Sequence, residues 1–238
     1  MPPVLIVAHG QPSDPAPAAA ELAHFAARVA DLLPGRRVAA ATLAEPGAMA
    51  QALADLGPGG VVFPMFMAGG WFTRVHLPAK LREAGAQGWR VLEPLGCLPA
   101  LHDLAVQVLA EAVVGLAAPQ VLLAAHGSFK SPVPSDIAHH LADKITAALG
   151  LPVVTGFIEQ DPTLAEIAGL GPQAVCLPFF AASGGHVLHD IPAALTAAGY
   201  QGRVLPPLGL DPRVAALVAA AVQAGHPVCA AECRYRKG

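Results

Sequence analysis

The tetrad Val7-Ala8-His9-Gly10 returns later in the chain as Ala124-Ala125-His126-Gly127, and three further segments return after it in the same order. Glu45-Pro46 falls on Asp161-Pro162. The stretch Pro64 to Pro78 falls on Pro178 to Pro192 without a gap, and Arg90-Val91-Leu92-Glu93-Pro94-Leu95-Gly96 falls on Arg203-Val204-Leu205-Pro206-Pro207-Leu208-Gly209. The separation, about 115 residues, shrinks slowly along the chain, which is the mark of small loop deletions in a tandem repeat. A copy of that size can bury a core of its own without help from a metal or a disulfide. Two lobes are therefore expected, 1–118 and 119–226, followed by a flexible tail, 227–238. The segment from Pro99 to Ala118 reads as a helix linking the copies, with the boundary near Ala118, Pro119 and Gln120.

Within each copy short apolar runs of β type alternate with Ala/Leu-rich helical segments, four of each. That alternation predicts the α/β class, with a four-stranded, mainly parallel sheet covered by helices on both faces in each lobe. In the second copy the strands are expected near Val121 to Ala125, Val153 to Phe157, Ala174 to Phe179 and Arg203 to Leu205. Helix starts are signalled by Ser135 or Asp136, by Asp161 followed by Pro162, and by Asp190 just before Pro192. Gly150 and Gly199 are the expected stops.

Composition narrows the function classes. Hydrophobic residues make up 54% and charged residues 13% of the 238, which suits packed Ala-rich helices and not a disordered chain. Gly, Pro or a charge interrupts every apolar run well before the roughly 18 residues a membrane span needs. The start of the chain lacks the basic region and long apolar core of a signal peptide, so a cytoplasmic protein is expected. The four cysteines, Cys97, Cys176, Cys229 and Cys233, are too unevenly placed for a disulfide framework. A net charge of -3 argues against nucleic acid as partner.

Ligands of open α/β sheets bind beyond the carboxyl ends of the strands. In the second copy His126 follows the first strand, Glu159 the second, and His186 the third after the turn Ser183-Gly184-Gly185. Three metal-type ligands from three strands can converge on one point. Two imidazoles and a carboxylate suit Co2+, Fe2+, Ni2+ or Zn2+ and leave coordination positions open, which implies chemistry or transfer and not structure. In the first copy His9 matches His126, but Leu43 is read opposite Glu159 and Phe72 opposite His186, so one functional site per chain is expected. His76, opposite Asp190, reads as a helix-start residue, and Trp71 and Phe72 as core or as apolar contacts to a flat ligand.

The string Ala125-His126-Gly127-Ser128, then Phe157-Ile158-Glu159, then Leu177-Pro178-Phe179-Phe180 leading to Gly184-Gly185-His186-Val187-Leu188-His189-Asp190-Ile191-Pro192, resembles the sirohydrochlorin cobaltochelatase and ferrochelatase family of class II tetrapyrrole chelatases, in its long two-unit form. The resemblance implies chelatase-like lobes with a cleft between them, and a monomer in which duplication replaces a dimer. It also implies ATP-independent insertion of Co2+ or Fe2+ into sirohydrochlorin, in cobalamin or siroheme biosynthesis, with no organic cofactor. By similarity His126 and His186 are metal ligands, one of them also accepting a pyrrole proton, and Glu159 is the third ligand or proton acceptor. Sirohydrochlorin carries eight carboxylates, so cationic and N–H partners are expected around it. Lys130, Arg74 and the Ser128 hydroxyl are the candidates, with Gly184 and Gly185 letting backbone approach the ring. His9 and His189 are possible secondary contacts.

Other features read more plainly. His139 and His140 lie in a helical run and are expected at the surface. Cys229 and Cys233 have a C-x3-C spacing, but two thiols fall short of the four ligands of clusters and structural zinc, so a disordered basic tail is expected there. Two alternative functions remain: a non-catalytic tetrapyrrole or metal carrier using the same cleft, and a metal-dependent hydrolase, which lacks a nucleophile elbow here.

Overall fold

The computed structural model describes residues 1–229 and 233–236. In chain order the first copy runs β1 (Val4–Ala8), α1 (Pro15–Asp31), β2 (Val38–Thr42), α2 (Ala48–Leu56), β3 (Gly60–Pro64), α3 (Leu77–Glu83), β4 (Trp89–Val91) and α4 (Pro99–Ala112). The second runs β5 (Gln120–Ala125), α5 (Val133–Leu149), β6 (Val153–Phe157), β7 (Ala174–Pro178), α6 (Ile191–Ala197), β8 (Arg203–Val204) and α7 (Val214–Ala224). Each copy forms a four-stranded sheet, ordered β2-β1-β3-β4 and β6-β5-β7-β8, in which every pairing is parallel. The central strands β1 and β5 are buried apolar runs, as a sheet covered on both faces requires. Leu5 and Val7 turn one face of β1 onto Met49 and Leu53 of α2 and Leu77 and Leu81 of α3. In the second sheet Leu122 and Ala124 meet Leu164, Ile191 and Leu195 in the same way.

Packing divides the chain where the repeat does not. One compact unit comprises Met1–Leu98 and Pro212–Arg234, the other Pro99–Asp211 and Tyr235–Gly238. The last helices are exchanged: α4 packs on α5 and β7 of the second unit, and α7 packs on α1 and β3 of the first. Each exchange buries an apolar stripe, Leu101, Leu104, Ala105 and Leu109 on α4 and Val214, Ala215, Val218, Ala219 and Val222 on α7. Polar contacts accompany it. Arg28 donates to the Pro212 carbonyl at 2.7 Å, and Lys144 pairs with Asp103 at 2.5 Å. The limits 1–118 and 119–226 thus mark the repeat and not the packing units.

Three local expectations are corrected. The helix expected after Asp161-Pro162 is a single turn, Leu164–Glu166, whose entry is fixed by the Thr163 N–H and hydroxyl donating to the Glu166 carboxylate at 2.9 and 2.8 Å. Gly169, at φ +79°, and Gly171-Pro172 stop it from lengthening. α5 starts at Val133, ahead of Ser135 and Asp136, with a proline in its first turn. α4 ends at Ala112, not at 118, and Gly115 turns the chain at φ +81°.

The tail is also revised where it is described. Pro227 bridges to Leu92, the Val228 N–H donates to the Val91 carbonyl, Arg234 pairs with buried Glu93, and Cys233 is buried. Residues 230–232, 237 and 238 of the expected flexible tail lie outside the described residues. Gly150 ends α5 in the left-handed conformation as expected, and Gly199 follows α6 at φ +65°.

Candidate metal and active site

Register brings the candidate ligands together at the sheet's edge. Ala125 pairs with Phe157, so His126 and Ile158-Glu159 leave the sheet side by side. The N–H groups of Ile158 and Glu159 both donate to the His126 carbonyl, at 3.2 and 2.8 Å, which pins the Glu159 loop against His126. Gly127 makes the turn between them at φ +70°. A Cβ there would stand 2.7 Å from Gln160 Cβ and 3.0 Å from Phe157 Cβ. Gly127→Ala is therefore expected to cost about 1–3 kcal/mol through left-handed strain alone. The collision adds to that, and urea denaturation together with Co2+ titration should show stability and metal affinity falling in the same variant.

The third candidate ligand, His186, follows β7. The Phe179 N–H donates to the Ala124 carbonyl at 2.7 Å, extending the pairing beyond the strand, and the chain returns to a widened π-helical turn, His186–Asp190. There the Ile191 N–H reaches back to the His186 carbonyl and the turn runs straight into α6. Such turns are rare and gather at functional sites.

The three side chains converge. One ligand atom from each of His126, Glu159 and His186 lies within 4.8 Å of the others, the only such group of metal-ligating side chains among the described residues. The two Nε2 atoms face each other at 3.2 Å, and Glu159 Oε2 is 4.0 Å from His126 Nδ1. His126 Nδ1 lies 3.0 Å from the Gly127 carbonyl and His186 Nδ1 lies 2.6 Å from Asp190 Oδ2. Both Nδ1 atoms thus face acceptors, so the neutral tautomers carry their lone pairs on Nε2. Two lone pairs so close repel unless a proton or a cation lies between them. Nitrogens about 2.05 Å from a shared ion stand about 3.2 Å apart when the angle at the ion is about 100°, so the spacing fits a divalent metal. The side chains are 41%, 48% and 39% exposed, which leaves the far side of such an ion open to an incoming ligand.

Other expected residues are placed less simply. The Ser128 N–H donates to Gln160 Oε1 and its hydroxyl oxygen accepts from the Lys130 N–H, both at 3.1 Å, so the hydroxyl is engaged in its own turn. Lys130 is exposed beside it. The Gly184 carbonyl accepts the Val187 and Leu188 N–H groups and starts the widened turn, with open space where a Cβ would go. Gly185 immediately precedes His186. His189 is exposed and outside the ligand group. Arg74 and His9 belong to the first unit.

The first unit repeats the architecture without the candidate ligand set. Its own widened turn spans Phe72–His76. The Ala44 N–H donates to the His9 carbonyl as that of Glu159 does to His126, so Ala44, not Leu43, is the counterpart of Glu159. Phe72 packs edge-on against His9 at 5.2 Å, and His76 stacks on Trp71 at 5.0 Å. Aromatic contact thus replaces coordination, and His76 has a ring partner beyond its position at a helix start. His139 and His140 are half-buried and not at the surface: His139 lies edge-on to Phe157 and His140 against Tyr235. Burial pushes the Cys176 thiol up to about 12. The hydrogen bond to Cys233, and burial after it, raise Cys97, so these are inert thiols at neutral pH. Sequence reasoning missed two partners, Gln160 and the Asp190 carboxylate. The spacing of four residues between His186 and Asp190 on one helical face was the available signal.

Known proteins resemble the chain at two levels. The sequence pattern of the CbiX family matches residues 120–224. The structure of CbiX, the terminal enzyme for biosynthesis of siroheme in denitrifying bacteria, is 44% identical, with a TM-score of 0.86 over 93% of this chain and 98% of that one. SirB from Bacillus subtilis with Fe3+ superposes with a TM-score of 0.72 at 15% identity, over 92% of this chain and 93% of that one. The sirohydrochlorin chelatase SirB from Bacillus subtilis subspecies spizizenii, in complex with cobalt, superposes with a TM-score of 0.65 at 16% identity over the same shares, 92% and 93%. The SirB likenesses speak for the fold. No curated protein sequence matches. A CbiX relative of this identity and coverage decides the matter: the chain belongs to the CbiX family, the sirohydrochlorin chelatases that its motif string resembles.

Proposed function

We propose that this protein inserts a divalent metal ion, Co2+ or Fe2+, into sirohydrochlorin without ATP, for siroheme or cobalamin synthesis. The observation that carries the reading is the pair of Nε2 atoms facing at 3.2 Å with the Glu159 carboxylate in the same group, half-open to solvent. Family membership supports the same chemistry. Insertion requires the ion to lose water, two pyrrole N–H protons to leave, and the ring to be held against the ion. His126 and His186 replace water on the ion through Nε2. Glu159, held beside His126, completes the set or takes a pyrrole proton, and an imidazole that has released the ion to the ring takes the other. A neutral imidazole can do both.

Ser128, Lys130, Gly184, Gly185 and Arg74 are the proposed partners of the substrate's carboxylates and ring, with His9 and His189 as secondary contacts. The metal is substrate, no organic cofactor takes part, Ni2+ is a further candidate ion, and the chain acts as a monomer. No helix among the described residues is long and apolar enough to cross a membrane.

The test mixes the protein with sirohydrochlorin and each of Co2+, Fe2+, Ni2+ and Zn2+, and follows the absorption change of the metallated ring. Acceleration over buffer with Co2+ or Fe2+ is expected. Tight binding of ring and metal with no acceleration would instead make the protein a carrier.

A further inference from the structure

Asp190 lies at the start of α6, where a carboxylate ordinarily caps free N–H groups, but here its side chain makes no capping bond. The backbone explains why. The widened turn His186–Asp190 passes into α6 without a break, Asp190 itself is helical at φ −74° and ψ −42°, and the Ile191 N–H is already bonded to the His186 carbonyl. Freed of that task, Asp190 Oδ2 lies 2.6 Å from His186 Nδ1. Burial does not force the contact, since the Asp190 side chain is 51% exposed and water could serve it. The spacing of the turn delivers it.

We infer that Asp190 is a positioning residue for metal capture: by accepting the Nδ1–H of His186 it fixes the tautomer and ring orientation that aim Nε2 at the ion shared with His126. This rests on the reading of His126, Glu159 and His186 as the place that holds the substrate ion. Carboxylates behind ligating histidines orient the ring and raise its basicity. The Gly127 carbonyl, 3.0 Å from His126 Nδ1, is the matching acceptor for the other imidazole, so each ring is held from behind and presents Nε2 forward. The first unit supplies independent support. There the counterpart of His186 is Phe72 and the counterpart of Asp190 is His76, so ligand and acceptor are absent together while the widened turn remains. An acid serving only the turn would be expected in both copies.

The test uses the full chain and Co2+ as probe, with D190A, D190N and H186A. Co2+ affinity and the visible spectrum of bound Co2+ are measured first, then KM for Co2+ and KM for sirohydrochlorin. D190A should bind Co2+ 10–100-fold more weakly. Its KM for Co2+ should rise in proportion, while KM for sirohydrochlorin and the thermal midpoint stay unchanged. D190N, whose amide oxygen can still accept, should fall between. Unaltered Co2+ affinity in D190A, or a loss that merely follows a lowered thermal midpoint in both variants, overturns the inference. If the unchanged chain binds Co2+ but does not accelerate insertion, the chelatase reading fails while the role of Asp190 is still read from the binding series. Absence of Co2+ binding by the unchanged chain overturns both.

Discussion

His126→Ala and His186→Ala are each expected to slow metallation of sirohydrochlorin by roughly 10²–10⁴-fold, the range lost when a positioned proton-transfer group is removed. In the proposed mechanism the facing Nε2 atoms act as a pair, so deleting either leaves a single imidazole and a half-exposed carboxylate, too few to displace water from the ion. The double variant should therefore be little slower than either single one, because residues that work as a unit are not additive. Stability should change little, since both side chains are part-exposed and neither belongs to the buried core. Full activity in both single variants, measured by the absorption of the metallated ring, would refute the site.

A chain that stops at Asp211 is expected not to fold as a cooperative unit, although it retains all three proposed ligands. It lacks α7, whose Val214, Val218 and Val222 are buried in the first unit against α1 and β3. Three buried valines alone are worth roughly 5–9 kcal/mol. That approaches the whole stability of an ordinary domain, about 5–15 kcal/mol. Loss of near-ultraviolet circular dichroism and exposure of the faces of α1 and β3 to a hydrophobic dye would show the effect. A sharp two-state urea transition in the shortened chain would contradict the packing described here.

Much of this architecture was legible in the sequence. The strands of the second copy fall where their short β-type runs placed them, most plainly β5 and β7, whose apolar runs are buried on both faces. His126, Glu159 and His186 were legible because each follows a strand, and parallel register then brings strand ends together without any knowledge of the helices. What was hidden involved partners that local pattern does not encode. An amphipathic helix such as α4 or α7 announces that it has an apolar face, not which sheet that face will cover. The segment after Asp161 looked helical by position in the repeat, and Gly169, Gly171 and Pro172 overrode the repeat. Leu43 stood opposite Glu159 in an alignment of letters, whereas the N–H that meets the His9 carbonyl belongs to Ala44. Asp190 read as a cap, because an acid before Ile-Pro usually is one. Only the unbroken passage of the π turn into α6 releases it for His186.

The exchange of α4 and α7 also orders events on the ribosome. The second unit is nearly contiguous, Pro99–Asp211, and its sheet and ligand-bearing loops are complete once that stretch has emerged. The first unit begins earlier but lacks one helix of the layer that α1 starts until Ala224 has been made, a wait on the order of 6–25 s at about 5–20 residues per second. The half translated first is thus the half that closes last, and its apolar strands are what nascent-chain chaperones would meet in the interval.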